Sequence, residues 1–252
     1  KVDAPRHQAT LMADLLVGTD LRGVFSHGTQ RSGRYLQLLC DRELNPKPEV
    51  RVERETPTTA VIDGDGGLGH LAAWQGARLA VEKAKATGLG AATTRNHHHF
   101  GAAGIYTRVA SDAGLVGFAV SSHVRSFKPN RHITAAGGAS PMSFAVPAEE
   151  GPPLVLDMAS SLYPIRNADM PEIFGKMPGA FFKALGLGAV CYALGGALAG
   201  IVDVDASGPT WPSVNQGAFI LAIDVSAFAD PESFERQMSE FVEAVTQMQP
   251  FP

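Results

Sequence analysis

The amino-acid sequence predicts a mixed fold, α/β or α+β, because short apolar strands alternate with amphipathic helices along the chain. The 252 residues are 45% hydrophobic and 18% charged, which is enough apolar material for a substantial core. This apolar content, with a net charge of −4, argues against an intrinsically disordered chain. The 21 basic and 25 acidic side chains leave no basic excess, so nucleic acid is not an expected partner.

Helices are predicted where apolar residues recur every three or four positions and where helix-capping residues stand at the ends. In chain order, the predicted helices cover 8–18, 26–39, 71–86, 102–113 and a C-terminal segment that follows Asp230. Ser26 and Asp230 are favourable N-caps, and Pro231 suits the first helical position. In the last helix, four apolar side chains share one face and are predicted to turn inward: Phe234, Met238, Phe241 and Val245.

Strands are predicted where short apolar runs are bounded by turn residues. These runs cover 58–62, 89–94, 115–121, 142–146, 154–158 and 218–224. The mixture of strands and helices indicates an α/β or α+β fold.

One long segment has no charged residue. Residues 184–202 reach the length of a membrane span, but alanine and glycine dominate them and few large aliphatic side chains would drive insertion. The sequence therefore predicts a buried helix and no membrane partner. Cys40 and Cys191 are too few for a disulfide framework, which favours a reducing compartment and a cytoplasmic location.

A glycine-rich turn has the spacing of a dinucleotide-binding loop. Gly64, Gly66 and Gly69 form G-x-G-x-x-G between a predicted strand and a predicted helix, as in a Rossmann unit. Asp63 and Asp65, however, place negative charge where phosphates would lie. A Rossmann unit also has an acidic residue that binds the ribose, about 20 residues further on and at the end of the next strand. Here that position falls in or just after the helix. The pattern favours a turn that sets the angle between strand and helix.

The segment from Asp20 to Arg31 contains the sharpest cluster of reactive side chains. A helix that begins at Ser26 would place His27 and Arg31 on one face, four residues apart. An imidazole can transfer protons, and a guanidinium can hold a carboxylate through two hydrogen bonds. Ser26 could orient the imidazole or bind substrate. The alternative is the exposed start of a helix with ordinary polar residues.

Three adjacent histidines, His97, His98 and His99, lie between a predicted strand and a predicted helix. They invite a zinc site, but neighbouring side chains diverge, and no cysteine pair or H-x-x-x-H motif accompanies them. His123 and His132 could complete such a site only through tertiary contacts. The pattern favours one histidine in acid/base chemistry or substrate contact and the other two at the surface.

Two further charged residues stand at the ends of apolar segments. Asp157 ends an apolar strand, where a carboxylate can fix a histidine tautomer, bind a ligand or cap a turn. Lys183 is the last charge before the apolar helix, and it could contact a phosphate or carboxylate or extend to solvent.

Several segments, taken together and in order, resemble a known family. They are the Asp20-Leu21-Arg22-Gly23 start with Ser26-His27-Gly28 and Arg31, the turn 63–69, Asn96 with His99-Phe100-Gly101, Gly138-Ala139-Ser140-Pro141, and Leu156-Asp157-Met158-Ala159-Ser160. The chain resembles the malate/L-lactate dehydrogenase family of NAD(P)-dependent oxidoreductases, which is unrelated to the Rossmann lactate dehydrogenases. The likeness runs from about Asp14 to Asp157 and resumes around Lys183 and from Gly217 onward.

The resemblance implies a non-Rossmann cofactor-binding domain with a mostly antiparallel sheet over 61–214. It implies a helical substrate and dimerisation domain formed by 1–60 and 215–252, and a homodimer or higher assembly. NAD or NADP is the implied cofactor, and a small carboxylate such as malate or lactate is the implied substrate. Members of the family reduce 2-oxo acids or cyclic imino acids, or oxidise 2-hydroxy acids.

The resemblance also implies roles for individual residues. His27 would be an acid/base or substrate-contacting histidine beside Ser26, Arg31 would hold the substrate carboxylate, and His99 would lie at the substrate and the nicotinamide. The implied cofactor contacts are Ser122, His123, Asp157, Met158, Ala159 and Lys183. No metal is expected.

The chain also departs from the family pattern. His123 is bulky where a small residue is usual, Ala184 replaces the glycine after Lys183, and Ser140 stands where asparagine is common. The segments 161–182 and 202–216 are shorter than the resemblance implies. Two other classes of function stay open on the sequence alone: an anion-binding module without chemistry, and a zinc hydrolase.

Overall fold

The computed structural model describes residues 2–124, 139–161, 170–201 and 210–249. These residues form seven strands: β1 (Arg51–Glu55), β2 (Thr59–Asp63), β3 (Leu89–His97), β4 (Leu115–His123), β5 (Pro141–Val146), β6 (Leu154–Ala159) and β7 (Gln216–Asp224). They also form seven helices: α1 (Arg6–Asp20), α2 (Ser32–Cys40), α3 (Gly69–Thr87), α4 (Gly104–Ser111), α5 (Met170–Lys176), α6 (Pro178–Tyr192) and α7 (Pro231–Gln247). The predicted mixture of strands and helices is confirmed.

The described strands form one sheet with the order β1-β2-β3-β7-β4-β5-β6. Five of its six adjacent pairs are antiparallel, and β2 with β3 is the parallel pair. The sheet is thus mostly antiparallel, unlike the parallel sheet of a Rossmann domain. Strand β7 lies at its centre although its residues follow the boundary expected at 215. The sheet therefore extends past that boundary, and the two-domain division stays a prediction.

Four strands of the sheet run in the same direction. Strand β2 is parallel to β3, while β3 and β4 are both antiparallel to β7, and β4 and β6 are both antiparallel to β5. The carboxyl ends of β2, β3, β4 and β6 therefore meet at one edge, which we call the carboxyl edge. Gln216 illustrates this, because it pairs with both His97 and His123.

The sheet is covered on both faces by helices. Strand β4 shows why, since successive side chains alternate between the faces. Leu115 and Ala119 point into the main core with α3 and α4, where Tyr106 is fully buried. Val120 points the other way and packs with Met142 and with Cys191 of α6. A smaller cluster joins α1 and α2 to the start of α3 and holds Tyr35, which lies below the carboxyl edge.

The glycine-rich turn between β2 and α3 is filled by the protein itself. The amides of Gly64 and Gly66 donate to the carbonyl oxygens of Arg95 and Asn96, and that of Gly69 donates to His99. A Cβ at Gly66 would meet the Trp211 ring, and one at Gly69 would meet His97. Because these backbone donors and spaces are already used, the structure supports a packing turn rather than a phosphate-binding loop.

Gly90 in β3 allows α3 to lie directly on the sheet. A Cβ there would collide with the carbonyl oxygen of Ala80 and lie 2.6 Å from the amide nitrogen of Ala84, both backbone atoms of α3. We expect Gly90→Ala to lower the free energy of unfolding by about 2 kcal/mol or more, measured by urea denaturation, because the helix must move away from the strand. Gly33→Ala is the control, since no heavy atom lies within 4 Å of its added Cβ. It should be neutral or stabilise α2 by up to about 1 kcal/mol. Equal losses in both variants would contradict the interpretation.

The predicted helix over 26–39 is wrong in its first part. Two short 3₁₀ turns, Phe25–His27 and Thr29–Arg31, precede α2, which begins only at Ser32. The Asp20 carboxylate accepts from the Thr29 amide and hydroxyl, and this bond turns the chain before the helix can form. Ser26 is therefore not the N-cap of α2.

Helix α6 is less buried than its sequence suggests. It continues into a π-helical turn, Ala193–Leu198, and the combined span is long and apolar enough to cross a membrane by length and composition. Only 28% of its most apolar window is buried, so the prediction of a buried helix is wrong for one face. Phe182 and Val190 on that face are about half exposed. Absence of charge shows that a face is apolar, but not what covers it.

The C-terminal helix begins as predicted, because the Asp230 carboxylate accepts from the Ser233 amide and Pro231 follows at the first position. Its apolar face is not buried in the described part of the chain. Phe241 and Val245 are 54% and 46% exposed, and Phe234 and Met238 are only partly covered. The inward orientation predicted for these four side chains is therefore wrong for a single chain.

Candidate active site at the carboxyl edge

The carboxyl edge brings together the sequence-predicted residues that follow three different strands. His99 comes two residues after β3, Ser122 and His123 end β4, and Asp157 lies near the end of β6. The segment between α1 and α2 lies against this edge and supplies His27, whose ring centroid is 5.5 Å from that of His99. Residues more than 70 positions apart in sequence thus lie side by side at this edge.

His27 lies in a small polar cluster with Ser26 and Arg31. The Ser26 hydroxyl is 3.0 Å from Nδ1 of His27, and the Arg31 Nε donates to the Ser26 carbonyl oxygen over 2.6 Å. The 3₁₀ turns, rather than an α-helical face, produce this grouping. Burial lowers the pKa of His27, and the positive charge of Arg31 lowers it further, whereas the Asp157 carboxylate acts in the opposite direction. The Ser26 hydroxyl is thus in hydrogen-bond contact with the imidazole.

His99 is held more firmly than His27. The hydroxyl of Tyr35 lies 2.7 Å from Nδ1 of His99, and the two ring centroids are 6.1 Å apart. Burial is the largest cause that lowers the pKa of His99, and together with the neighbouring His27 and Arg31 it lowers that pKa to about 3. His99 is therefore a neutral imidazole over the ordinary range of pH.

The other two histidines of the triplet have structural contacts, so the expectation that they lie at the surface is wrong. His97 is fully buried, with Nε2 bonded to the Thr94 hydroxyl at 2.8 Å and Nδ1 2.7 Å from the His98 carbonyl oxygen. His98 is partly buried, and its Nδ1 lies 2.7 Å from the carbonyl oxygen of Ser213. In the described residues, no group of three or more His, Cys, Asp or Glu side chains is arranged to hold a metal ion.

Asp157 connects the sheet to the histidine cluster. Its Oδ2 accepts from the Gly104 amide at 2.9 Å, at the first residue of α4, where a carboxylate is favourable beside unpaired amides. Partial desolvation raises the pKa of Asp157, while that amide and the nearby His27 lower it. The carboxylate thus caps the start of α4, which is one of the roles considered from the sequence, and its charge acts on His27.

Two site residues were missed by the sequence analysis. Tyr35 falls in an amphipathic helix and reads as a core residue, and it is only 4% exposed. His70 is the second residue of α3 and is fully buried, with its ring 5.5 Å from that of Tyr35 and 6.3 Å from that of His99. Neither nitrogen of His70 has a hydrogen-bond partner among the described residues. A polar side chain on an otherwise apolar helix face was the available signal for His70.

The remaining candidate cofactor residues occupy different positions. Ser122 is buried at the end of β4, and the Ser140 hydroxyl is 3.5 Å from its own. Met158 and Ala159 extend β6 beyond Asp157, and the Ser160 hydroxyl that follows is buried without a partner in the described part of the chain. Lys183 lies exposed in the first half of α6. Small residues and hydroxyl groups thus border the carboxyl edge from β4 to β6.

Comparison with known proteins agrees with this geometry. Residues 1–170 match the family described as malate/L-lactate dehydrogenase. The chain is 33% identical to malate dehydrogenase of Pyrococcus horikoshii over 287 residues, which covers 100% of this chain and 79% of the relative. It is 25% identical to ureidoglycolate dehydrogenase (NAD(+)) of Escherichia coli O157:H7 over 275 residues, covering 98% of this chain and 79% of the relative. The first alignment is longer than the chain, so that relative has internal residues that this chain lacks.

Solved structures show the same relationship. Malate dehydrogenase from Pyrococcus horikoshii OT3 has a TM-score of 0.83 at 31% identity, covering 98% of this chain and 78% of the other. Sulfolactate dehydrogenase from Methanocaldococcus jannaschii has a TM-score of 0.78 at 27% identity, covering 99% and 80%. With its sheet order, its histidine cluster and these matches in agreement, the chain belongs to the malate/L-lactate dehydrogenase family.

Proposed function

We propose that this protein transfers a hydride between NAD(P) and C2 of a small 2-hydroxy or 2-oxo acid. The observation that carries the proposal is the convergence of His27, His99 and Arg31 at the carboxyl edge. Relatives that act on malate, sulfolactate and ureidoglycolate support a carboxylate-bearing substrate, and one of them is named for NAD(+).

The residues of the cleft suit such a substrate. Arg31 is exposed, and its charge reaches both His27 and His99, so a carboxylate bound to its guanidinium would place C2 beside the imidazoles. One of the two histidines exchanges the proton of the C2 oxygen, because an imidazole can be neutral or charged near neutral pH.

The edge between β4 and β6 fits a dinucleotide. The buried Ser160 hydroxyl has no partner among the described residues, and the Ser122 and Ser140 hydroxyls lie close together nearby. Hydroxyl donors of this kind suit ribose, phosphate or carboxamide oxygens. We propose Asp157, Met158 and Ala159 as further cofactor contacts along β6. We also propose His123 and Lys183 as cofactor contacts. When bound, NAD(P) accepts or supplies the hydride at nicotinamide C4.

A cofactor and substrate panel tests the proposal. NADH and NADPH are each mixed with 2-oxo acids (oxaloacetate, pyruvate and 3-sulfopyruvate) and with a cyclic imino acid, and absorbance of the reduced nicotinamide is followed. We expect turnover with at least one 2-oxo acid. Carboxylate binding without turnover in every pair would favour the anion-binding module instead, and turnover confined to the imino acid would change the substrate class.

We propose further that the protein is a homodimer in which the exposed face of α6 is covered by a second copy. That face carries large apolar side chains (Phe182, Val190) among small residues, which let another helix approach closely. Val190→Glu should convert the dimer to a monomer in light scattering coupled to size-exclusion chromatography. Leu89→Glu, at an exposed apolar residue outside α6 and outside the segments 1–60 and 215–252, is the control. A monomeric mass for the unmodified protein would contradict the proposal. We also propose a cytoplasmic location, because two cysteines in 252 residues are too few for a disulfide framework.

A further inference from the structure

We propose that Tyr35 fixes His99 as a neutral Nε2–H donor to the substrate's C2 oxygen, so that His27 is the histidine that exchanges the proton. This division of roles rests on the proposed function above, and it assigns separate tasks to two imidazoles whose rings are 5.5 Å apart. Tyr35 acts through His99, so it is a positioning residue.

The hydrogen bond between Tyr35 and His99 determines the tautomer. Burial raises the pKa of Tyr35 to about 12, so the hydroxyl keeps its proton. Nδ1 of His99, at 2.7 Å, is the hydrogen-bond partner of that hydroxyl in the described residues. If the hydroxyl donates to Nδ1, the imidazole carries its hydrogen on Nε2. If Nδ1 of His99 carried the hydrogen instead, it would donate to the Tyr35 oxygen, and the buried Tyr35 proton would have no acceptor at His99. An unpaired buried donor of this kind costs about 1–3 kcal/mol.

The surroundings of His99 keep this imidazole uncharged. Tyr35 and His70 pack against it, and the charged forms of His27, His97, His98 and Arg31 act on it, with no carboxylate among the causes within the described residues. Burial lowers the pKa of His70 well below its usual value, so His70 adds a second uncharged ring. An imidazole that is neutral and already carries Nε2–H cannot accept a proton there, but it can donate a hydrogen bond to an oxygen.

His27 has the complementary environment. It is partly exposed, its Nδ1 is bonded to Ser26, and the Asp157 carboxylate favours its charged form. In oxidation of a 2-hydroxy acid, the O–H bond of the C2 hydroxyl breaks and its proton passes to His27, while the hydrogen on C2 leaves with its electron pair to the oxidised nicotinamide. His27 then releases the proton to solvent. Environments that separate the pKa values of neighbouring groups commonly separate their catalytic roles.

The first test reads the tautomer directly in the ligand-free protein. Nitrogen chemical shifts of ¹⁵N-histidine-labelled protein, assigned through His99→Gln, should show Nε2–H for His99 at neutral pH. Tyr35→Phe, which keeps the buried ring, should give a mixture of tautomers and lower kcat about fivefold to tenfold with little change in KM. Tyr106→Phe is the matched control, because it removes another buried tyrosyl hydroxyl, one that donates to the Phe100 carbonyl. It should leave the His99 tautomer unchanged.

The second test compares substitutions at the two histidines. Glutamine keeps an N–H donor near the Nε2 position but does not titrate. His99→Gln should therefore retain kcat within about tenfold, whereas His99→Ala should lose about 10²–10³-fold. At His27, glutamine and alanine should be equally damaging. An Nδ1–H tautomer in the unmodified protein, or equal losses in His99→Gln and His99→Ala, would overturn the assignment. The tautomer measurement needs no turnover, so it stands apart from a failure of the proposed function.

Discussion

His27→Ala is expected to lower kcat for reduction of a 2-oxo acid by two to four orders of magnitude. The imidazole would exchange the proton of the C2 oxygen, and removal of a well-placed acid or base costs about 10²–10⁴ in rate. KM should change less, because the proposed carboxylate contact at Arg31 is kept. Steady-state kinetics of reduced nicotinamide oxidation provide the measurement.

The pH profile supplies the control for this prediction. In oxidation of a 2-hydroxy acid, His27 must be neutral, so kcat/KM should fall as pH falls through its pKa, which burial and Arg31 hold below 6.5. That acidic limb should disappear in His27→Gln. His7→Gln, at a partly buried histidine of α1, should keep both the rate and the limb. Near-normal turnover in both His27→Ala and His99→Ala would refute a histidine-based proton transfer altogether.

Arg31→Met is expected to raise KM for the acid by roughly one to two orders of magnitude. A charge-assisted pair with a carboxylate contributes about 1.5–3 kcal/mol, and methionine keeps the length of the side chain without its donors. The loss should be smaller for a neutral amide analogue of the substrate, because that analogue gains less from the guanidinium.

The same substitution should also move the acidic limb of kcat/KM to higher pH. Arg31 lowers the pKa of both His27 and His99, so its removal lets both imidazoles protonate more readily. Arg34→Met is the matched control, since this exposed arginine of α2 acts on His98 rather than on His27 or His99. A limb that stays in place in Arg31→Met, or one that shifts equally in Arg34→Met, would contradict the electrostatic assignment.

Much of the fold could be predicted from local patterns. Apolar runs indicated β3, β4 and β7, and Asp230 with Pro231 marked the start of α7, because these signals depend on neighbouring residues alone. Strand β1 was missed, since its sequence, Arg51–Glu55, is charged and exposed at the sheet edge. The 3₁₀ turns before α2 were missed because the Asp20 carboxylate that shapes them lies nine residues from Thr29.

The candidate site was predictable in its residue types but not in its arrangement. His27, Arg31, His99 and Asp157 were found from motifs. Tyr35 was not, because its hydrogen bond to His99 spans 64 residues of sequence and depends on how α2 packs against the sheet. His97 and His98 were wrongly predicted to lie at the surface for the same reason. A run of polar residues does not show which of its side chains tertiary packing will bury.

The central position of β7 has a consequence for how the chain folds. The strand that joins β3 to β4 is supplied by residues 216–224, long after both partners have been synthesised. During translation, β3 and β4 each keep an unpaired edge until this last strand has been synthesised and can pair with both. The half of the sheet that carries His99 and the half that carries Asp157 stay separate until then. Assembly should accordingly be slow and sensitive to aggregation, and nascent chains that stop short of β7 would lack the strand that holds β3 beside β4.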